Sequence, residues 1–418
     1  MRTNRRTTFR GALMATAIAL AAFATCAQAQ TYNFQVVHSF SGPPDDGRIP
    51  TMGVQFDNAG NLYGTTSMRD RNSGHGGVVF KIAEDGSETI VHVFSNSVNA
   101  IYNPPYEFTV DPETGDLFGT TTYGGGSNRR CAGGCGVLYK LAADGTFTVL
   151  HAFKGTQDGA YPAGSLIRDS QGNLYGTVGS GAAYGKGAIY EYRADGTFAV
   201  LHDFRLIRNA TSASGPGGVI RDSGGNLYGV LHGGGASGFG SVYKLATDGT
   251  FTTLHSFAEI LEPDPDGYWP VGALTRDEDG NLYGVTTQVW GENGDNPTGT
   301  VFKLAPDGTL TTLYTFTGAA DGAEPNGSLL RIDGNLYGTT SDGGAGNPDC
   351  DPVGCGVAFK VAPDGTYTVL HTFLPRDGGG ATPLAGFTSQ DDRLFGTASD
   401  GGGIKRGGTV YSIDIANP

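Results

Sequence analysis

The sequence has 418 residues, with 27 Lys and Arg against 41 Asp and Glu, a formal net charge of −14, and 70 glycines beside 20 prolines. That balance excludes a nucleic-acid binder working through a basic stripe, because no run of cations is left to neutralise phosphates. The glycine and proline content approaches that of low-complexity chains, but these residues recur in phase at turn positions, which marks a folded repeat.

The first ten residues carry Arg2, Arg5, Arg6 and Arg10 and no acid; an apolar run over residues 11–24 follows, then Ala27-Gln28-Ala29. A basic region, an apolar region and a small-x-small site make residues 1–29 a secretory signal peptide cleaved near Ala29, with residues 30–418 as a single domain. The apolar run is shorter than the roughly 20 residues needed to span a bilayer. Cys26 and Arg5-Arg6 raise lipoprotein and twin-arginine export, but Phe23-Ala24-Thr25 and the late Phe9 fit both badly, so general secretion is expected. Losing four leader arginines takes the charge from −14 to −18. No later apolar stretch is long enough to span a membrane, so the product is expected to be exported, periplasmic or secreted.

From there one stretch organises the chain. Gly60-Asn61-Leu62-Tyr63-Gly64-Thr65-Thr66 returns at residues 172–177, 225–229, 280–286 and 334–340, with worn copies at 115–121 and 393–397. The second glycine of each copy, Gly64, Gly119, Gly176, Gly229, Gly284, Gly338 and Gly396, sets steps of 55, 57, 53, 55, 54 and 58 residues. A fixed period of this size is a repeat architecture. Each repeat reads as four short strands. In the third, residues 164–168 form the first strand, a tight turn ending at Gly172 follows, and residues 173–177 form the second. A Gly-rich loop reaches Gly187; residues 188–192 form the third strand and 197–204 the fourth. Seven such units predict an all-β, seven-bladed β-propeller. Residues 32–40 match the fourth-strand pattern and residues 408–413 the third, so the N-terminal strand is expected to close the last blade and remove a free edge. The glycine of each second strand marks a close approach by backbone or a bulky side chain.

With Gly299-Thr300-Val301-Phe302-Lys303-Leu304, Asp307-Gly308-Thr309 and Leu254-His255-Ser256-Phe257, the repeat resembles the GloVer repeat family of bacterial exported tandem-repeat proteins, over nearly the whole mature chain. The resemblance implies export and a propeller-like fold and carries no agreed activity or catalytic residues. Some relatives end in a sorting tail; this chain ends at Pro418 without one, which implies a soluble product.

Loops from second to third and from fourth to first strands are long and variable and should open on one face, where binding is expected. Six of the eight histidines, His38, His92, His151, His202, His255 and His371, share one fourth-strand slot, with Tyr314 in the seventh. Spread around a rim, they read as structural rather than as one metal site. His75 and His232 fall in long loops and, with Tyr123 and Arg129, are the catalytic candidates; Arg130 and Arg406 are further cations of the type lyase chemistry uses. Cys131 with Cys135 and Cys350 with Cys355 read as two disulfides within loops, since close pairs in an exported chain oxidise; a shared zinc site or redox chemistry is the alternative. Asp-Gly-x-x-Pro recurs from Asp46, Asp158, Asp266 and Asp321, with a longer variant at Asp377. It reads as a turn into the channel strand, or as a crown of carboxylates around the mouth that holds Ca²⁺; otherwise no cofactor is expected. Both tryptophans, Trp269 and Trp290, belong to the fifth repeat, with Tyr268, Asp264, Asp266, Glu292 and Asp295 close by, and Tyr102 and Tyr106 in a second-repeat loop. Flat rings beside carboxylates make a candidate sugar-binding patch; loop-to-loop packing is the plainer reading. The first expectation is therefore a monomeric binding scaffold for glycan or protein ligands. The alternatives are a polysaccharide lyase, hydrolase or lactonase-type propeller, which rests on fold analogy, and a structural surface protein.

Overall fold

The computed structural model describes residues 32–42, 46–67, 75–95, 108–205, 215–258, 266–288, 298–344, 350, 354–375, 378–402 and 407–416. Among them there is no helix, and the strands form seven antiparallel four-stranded sheets. Six sheets run first to fourth strand in chain order; in blade 3 these are Ala160–Arg168, Leu174–Ser180, Ala188–Tyr192 and Phe198–Asp203. The seventh takes Thr388–Gln390, Arg393–Ala398 and Thr409–Asp414 from the C-terminal end and Asn33–Ser39 from the N-terminal end as its outermost strand. The expected ring closure is thus present: Phe34 pairs with Ile413 and His38 with Val410, and the Phe40 N–H donates to the Gly408 carbonyl at 3.0 Å.

Every part of the recurring motif serves the fold. In blade 3, Asp169 accepts from the Asn173 backbone at 2.9 Å, from the Asn173 side-chain amide at 3.0 Å and from the Tyr175 hydroxyl at 3.1 Å. One carboxylate therefore satisfies the turn and anchors the strand that leaves it. Blades 1, 4 and 5 repeat the network at Asp57, Asp222 and Asp277. The leucine points into the core: Leu62, Leu174, Leu227, Leu282 and Leu336 are at most 3% exposed. The glycine makes room for an aromatic ring from the third strand. A Cβ on Gly176 would lie 2.5 Å from the Tyr190 oxygen, and Gly119, Gly284, Gly338 and Gly396 face Tyr139, Phe302, Phe359 and Tyr411 in the same way. The threonine ties blades together: Thr177 Oγ1 donates to the Gly217 carbonyl at 3.2 Å, Thr339 to Ala385 at 2.9 Å and Thr397 to Met52 at 2.8 Å.

The histidine slot and the Asp-Gly turn, read separately in the sequence, are partners. His151 Nε2 lies 3.2 Å from Asp158, His38 3.4 Å from Asp46 and His255 3.9 Å from Asp266, while the Tyr314 hydroxyl donates to Asp321 at 2.8 Å. Each carboxylate sits at the seam between blades beside the preceding outer strand, so these aspartates do not gather as a crown around the channel mouth. The same histidine ring stacks on an aromatic of the next blade: His151 on Phe198 at 3.9 Å, His202 on Phe251 at 4.1 Å, His371 on Phe34 at 3.7 Å.

Two boundaries differ from expectation. The innermost strand of blade 3 begins at Ala160, before the proline, because Ala160 and Pro162 pair with Ser180 and Val178 of a second strand that is itself longer. An innermost strand tolerates proline since its outer edge has no ladder to maintain. His75 opens the third strand of blade 1, His75–Ile82, rather than lying in the loop before it, because its backbone pairs with Ser95. Both cysteine pairs are disulfides, Cys131–Cys135 and Cys350–Cys355, with Cα atoms 5.2 and 5.3 Å apart. No helix among the described residues is long and apolar enough to cross a membrane.

Candidate functional site

The innermost strands meet around the axis, and their glycines set how closely. A Cβ on Gly272 would fall 2.5 Å from the Gly327 carbonyl oxygen, and Gly164, Gly327 and Gly386 likewise meet backbone of the adjoining blade. Backbone against backbone narrows the channel there. Toward the long-loop face it widens into a funnel of about 590 Å³, lined by residues 161–165, 215–218, 270–273, 326–327 and 384–385 with Thr51, Met52, Thr122, Ser180 and His232.

The rim of this funnel has a repeated backbone device. The residue before the inner-strand proline adopts a left-handed conformation in every described blade that carries it: Ile49 (φ 59°), Tyr161 (55°), Gly215 (66°), Trp269 (60°), Glu324 (52°) and Thr382 (54°). A residue with a side chain loses roughly 1–2 kcal/mol there, and a following proline restricts it further. The conformation is held from both sides. Five of the six N–H groups donate to a carbonyl of the preceding blade: Ile49 to Gly407 at 2.7 Å, Tyr161 to Cys135 at 2.8 Å, Trp269 to Phe239 at 2.8 Å, Glu324 to Thr298 at 3.3 Å and Thr382 to Cys355 at 2.9 Å. The carbonyls accept from the end of the same blade's second strand, Ser67 to Ile49 at 3.0 Å, His232 to Gly215 at 3.1 Å and Ser399 to Thr382 at 3.2 Å. Both disulfides thus hold a loop whose carbonyl fixes the rim residue of the next blade.

The backbone at this slot is constant and the side chain is not: aliphatic, phenol, none, indole, carboxylate, hydroxyl. On one arc the Tyr123 and Tyr161 rings meet edge-on at 5.6 Å, and beyond the gap left by Gly215 the His232 and Trp269 rings lie 5.6 Å apart at 32°. Trp269 is itself braced edge-on by Tyr268 at 5.2 Å. Burial pushes the His232 imidazole below its ordinary value, which favours the neutral ring, and the Pro270 backbone opposes that shift in part. In blade 6, burial raises the carboxyl groups of Glu324 and Asp342, and the Asp342 charge raises Glu324 further. Asn326, on the funnel wall, donates to the Glu324 carbonyl at 2.7 Å and to the Ser341 hydroxyl at 2.8 Å.

Of the residues singled out in the sequence, His232 lines the funnel; Tyr123 and Trp269 sit against the lining rings of Tyr161 and His232, and Tyr268 braces Trp269 from behind the wall. Asp266 faces His255 in the seam, and Arg129 and Arg130 are exposed on the disulfide loop away from the funnel wall. Tyr102, Tyr106, Asp264, Trp290, Glu292, Asp295 and Arg406 lie outside the described residues, as does the side chain of His75. Tyr161, Glu324 and Asn326 escaped sequence reading. Within Asp-Gly-x-x-Pro the residue before proline, Tyr161 or Glu324, varies while its flanks recur, but nothing local marks its backbone as left-handed.

A family model, the Gloeobacter/Verrucomicrobia repeat, matches residues 128–347 and 287–418. No curated protein matches the chain. Among solved structures, puromycin hydrolase aligns at TM-score 0.54 and 14% identity over 87% of this chain and 52% of its own. The extracellular domain of the one component system BT4673 from B. thetaiotaomicron aligns at 0.53 and 12% identity, over 92% of this chain and 42% of that one. PorZ, a surface component of the type-IX secretion system of Porphyromonas gingivalis, aligns at 0.50 and 13% identity over 89% and 47%. The chain therefore spans about half the length of these proteins, and the likeness is one of fold.

Proposed function

The chain belongs to the Gloeobacter/Verrucomicrobia repeat family, and from that premise and the funnel we propose that it is an exported binding propeller that takes a sugar chain in its axial mouth. The observation that carries this reading is the rim: six backbone positions held alike, each with a different side chain. Constant scaffold with variable presented residues is how binding surfaces are built on rigid folds. The funnel volume of about 590 Å³ lies within the roughly 300–1,000 Å³ of small-ligand sites. Tyr161 and Trp269 offer faces for C–H stacking, while Asn326 and Glu324 offer hydrogen-bond groups to hydroxyls. Two loop disulfides and a leader-like N-terminus support export, since such bonds persist in oxidising compartments.

A glycan array probed with the native chain, Tyr161→Gly and Trp269→Gly tests this. Glycine is chosen because blade 4 carries Gly215 at the same slot, so the backbone is undisturbed. Binding that falls roughly tenfold or more in both variants is expected, from the about 1–3 kcal/mol a stacked ring contributes to ligand binding. Equal binding by all three proteins would remove the rim from the account. One observation favours an enzyme as second reading: His232 lies on the funnel wall, where burial favours the neutral imidazole a general base requires. Turnover of lactones or uronate polymers that disappears in His232→Ala would establish that reading; no turnover across the panel leaves the binding reading.

A further inference from the structure

We propose that His38, Asp46 and Glu88 form a site for a divalent transition-metal cation of the zinc type, which bolts the ring at its closing seam. The three come from separate elements: His38 from the N-terminal strand Asn33–Ser39, Asp46 from the connection into blade 1, and Glu88 from the first position of the blade 1 outer strand, Glu88–Ser95. Among the described residues they are the one group of three His, Cys, Asp or Glu side chains whose ligand atoms all lie within 4.8 Å of one another. His38 Nε2 is 3.4 Å from Asp46 Oδ2 and 3.5 Å from Glu88 Oε2. Tetrahedral zinc bound at about 2.0–2.2 Å separates its ligand atoms by about 3.3–3.6 Å. The two spacings from the imidazole nitrogen fall in that range.

A second observation is independent of those distances. At the other seams the Glu88 position holds Phe34, Phe147, Phe198, Phe251 or Tyr367, whose ring stacks on the preceding blade's His or Tyr at 3.7–4.6 Å. Leu310 is the remaining exception. Only at the closing seam does a carboxylate replace the ring, and the stack on His38 is given up for it. The result is poorly satisfied: His38 Nε2 and Glu88 Oε1 are buried atoms without a hydrogen-bond partner. Asp46 is oriented by two backbone groups, the Gly47 N–H donating to its Oδ1 at 2.7 Å and the Ser41 N–H to its Oδ2 at 2.6 Å, and that same Oδ2 faces the imidazole. Two carboxylates face one imidazole here, and a dication would offset the negative charge they bring together. An imidazole nitrogen beside two carboxylates suits zinc or its transition-metal neighbours rather than calcium, which takes oxygen ligands. The location gives the role: the metal would join the strand that completes blade 7 to the outer strand of blade 1.

The test uses the tag-free, metal-stripped chain, with zinc and calcium titrated separately by calorimetry and thermal melting. One equivalent of zinc should bind and calcium should not; zinc at a hundredfold excess over Kd should raise the melting midpoint by about 3 °C. Glu88→Phe restores the ring found at five other seams, and His38→Tyr copies the Tyr314–Asp321 pair, so both variants have folded precedents within this chain. Each should weaken zinc binding by roughly tenfold or more and at least halve the shift at the same zinc concentration, while His151→Tyr, at a seam without the carboxylate, leaves both intact. No saturable zinc binding at micromolar concentrations, or equal affinity in Glu88→Phe and His38→Tyr, overturns the proposal. A midpoint that follows pH between about 6 and 8 but ignores zinc overturns it too, and assigns the cluster to a shared proton.

Discussion

Gly176 shows how far a single residue is specified. It has no side chain because the Tyr190 ring, 1% exposed, occupies that space. Gly176→Ala should destabilise by about 1–3 kcal/mol, the usual cost of overpacking a closed core, read as a fall in the denaturant midpoint at unchanged slope. A loss below a few tenths of a kcal/mol would show that the ring moves aside freely. Rim residues are under the opposite constraint. Trp269 and Glu324 are held at positive φ by neighbouring blades, not by their own preference. Their side chains are therefore exchangeable at little cost to folding, which is what a presenting position requires. His232 could be picked from the sequence because it broke the histidine pattern. Glu324 could not, because nothing local distinguishes a strained pre-proline residue from an ordinary one.

At the scale of one blade, the Asp-x-x-Gly-Asn-Leu-Tyr turn behaves as a unit with its own pH response. Burial first, then the facing carboxylates, push the phenols of Tyr63, Tyr175 and Tyr283 up to about 12. The folded value lies above the ordinary value of about 10. The associated stability is therefore fully present below pH 10 and is lost as the pH rises through about 12. Melting midpoints across that alkaline range should decline less steeply when all three tyrosines are replaced by phenylalanine. Parallel declines would show that the phenol–carboxylate bonds contribute nothing to folding. This turn was legible in sequence as a turn. What it bonds to was legible only in part, because the hydroxyl six residues on comes back to the same carboxylate through strand geometry. The pairing of the histidine slot with the Asp-Gly turn was hidden for a similar reason. The two motifs were visible as separate repeats, and the seam that joins them exists only once blades pack side by side.

For the whole molecule, the N-terminal strand is the element on which the ring depends. Phe34 stacks on His371 at 3.7 Å and on Tyr411 at 5.4 Å, so it links blade 6 to blade 7 as well as completing a sheet. Deleting residues 32–40 would expose the edge of Thr409–Asp414, whose first five residues are buried. The expected outcome is self-association on size exclusion and a lower melting midpoint. A monomeric truncated chain with an unchanged midpoint would mean that the closure is ornamental.

The sequence by itself determined the number of blades, the four strands in each, the closing strand and the loop disulfides. All of these follow from periodicity and short-range turn chemistry, which are properties of neighbouring residues. Only the tertiary structure decided where the recurring aspartates point, which side chains reach the funnel, and that His38, Asp46 and Glu88 converge. Those are contacts between blades. Their partners lie tens to hundreds of residues apart, at distances set by how the sheets fan around the axis, and no local pattern encodes that angle.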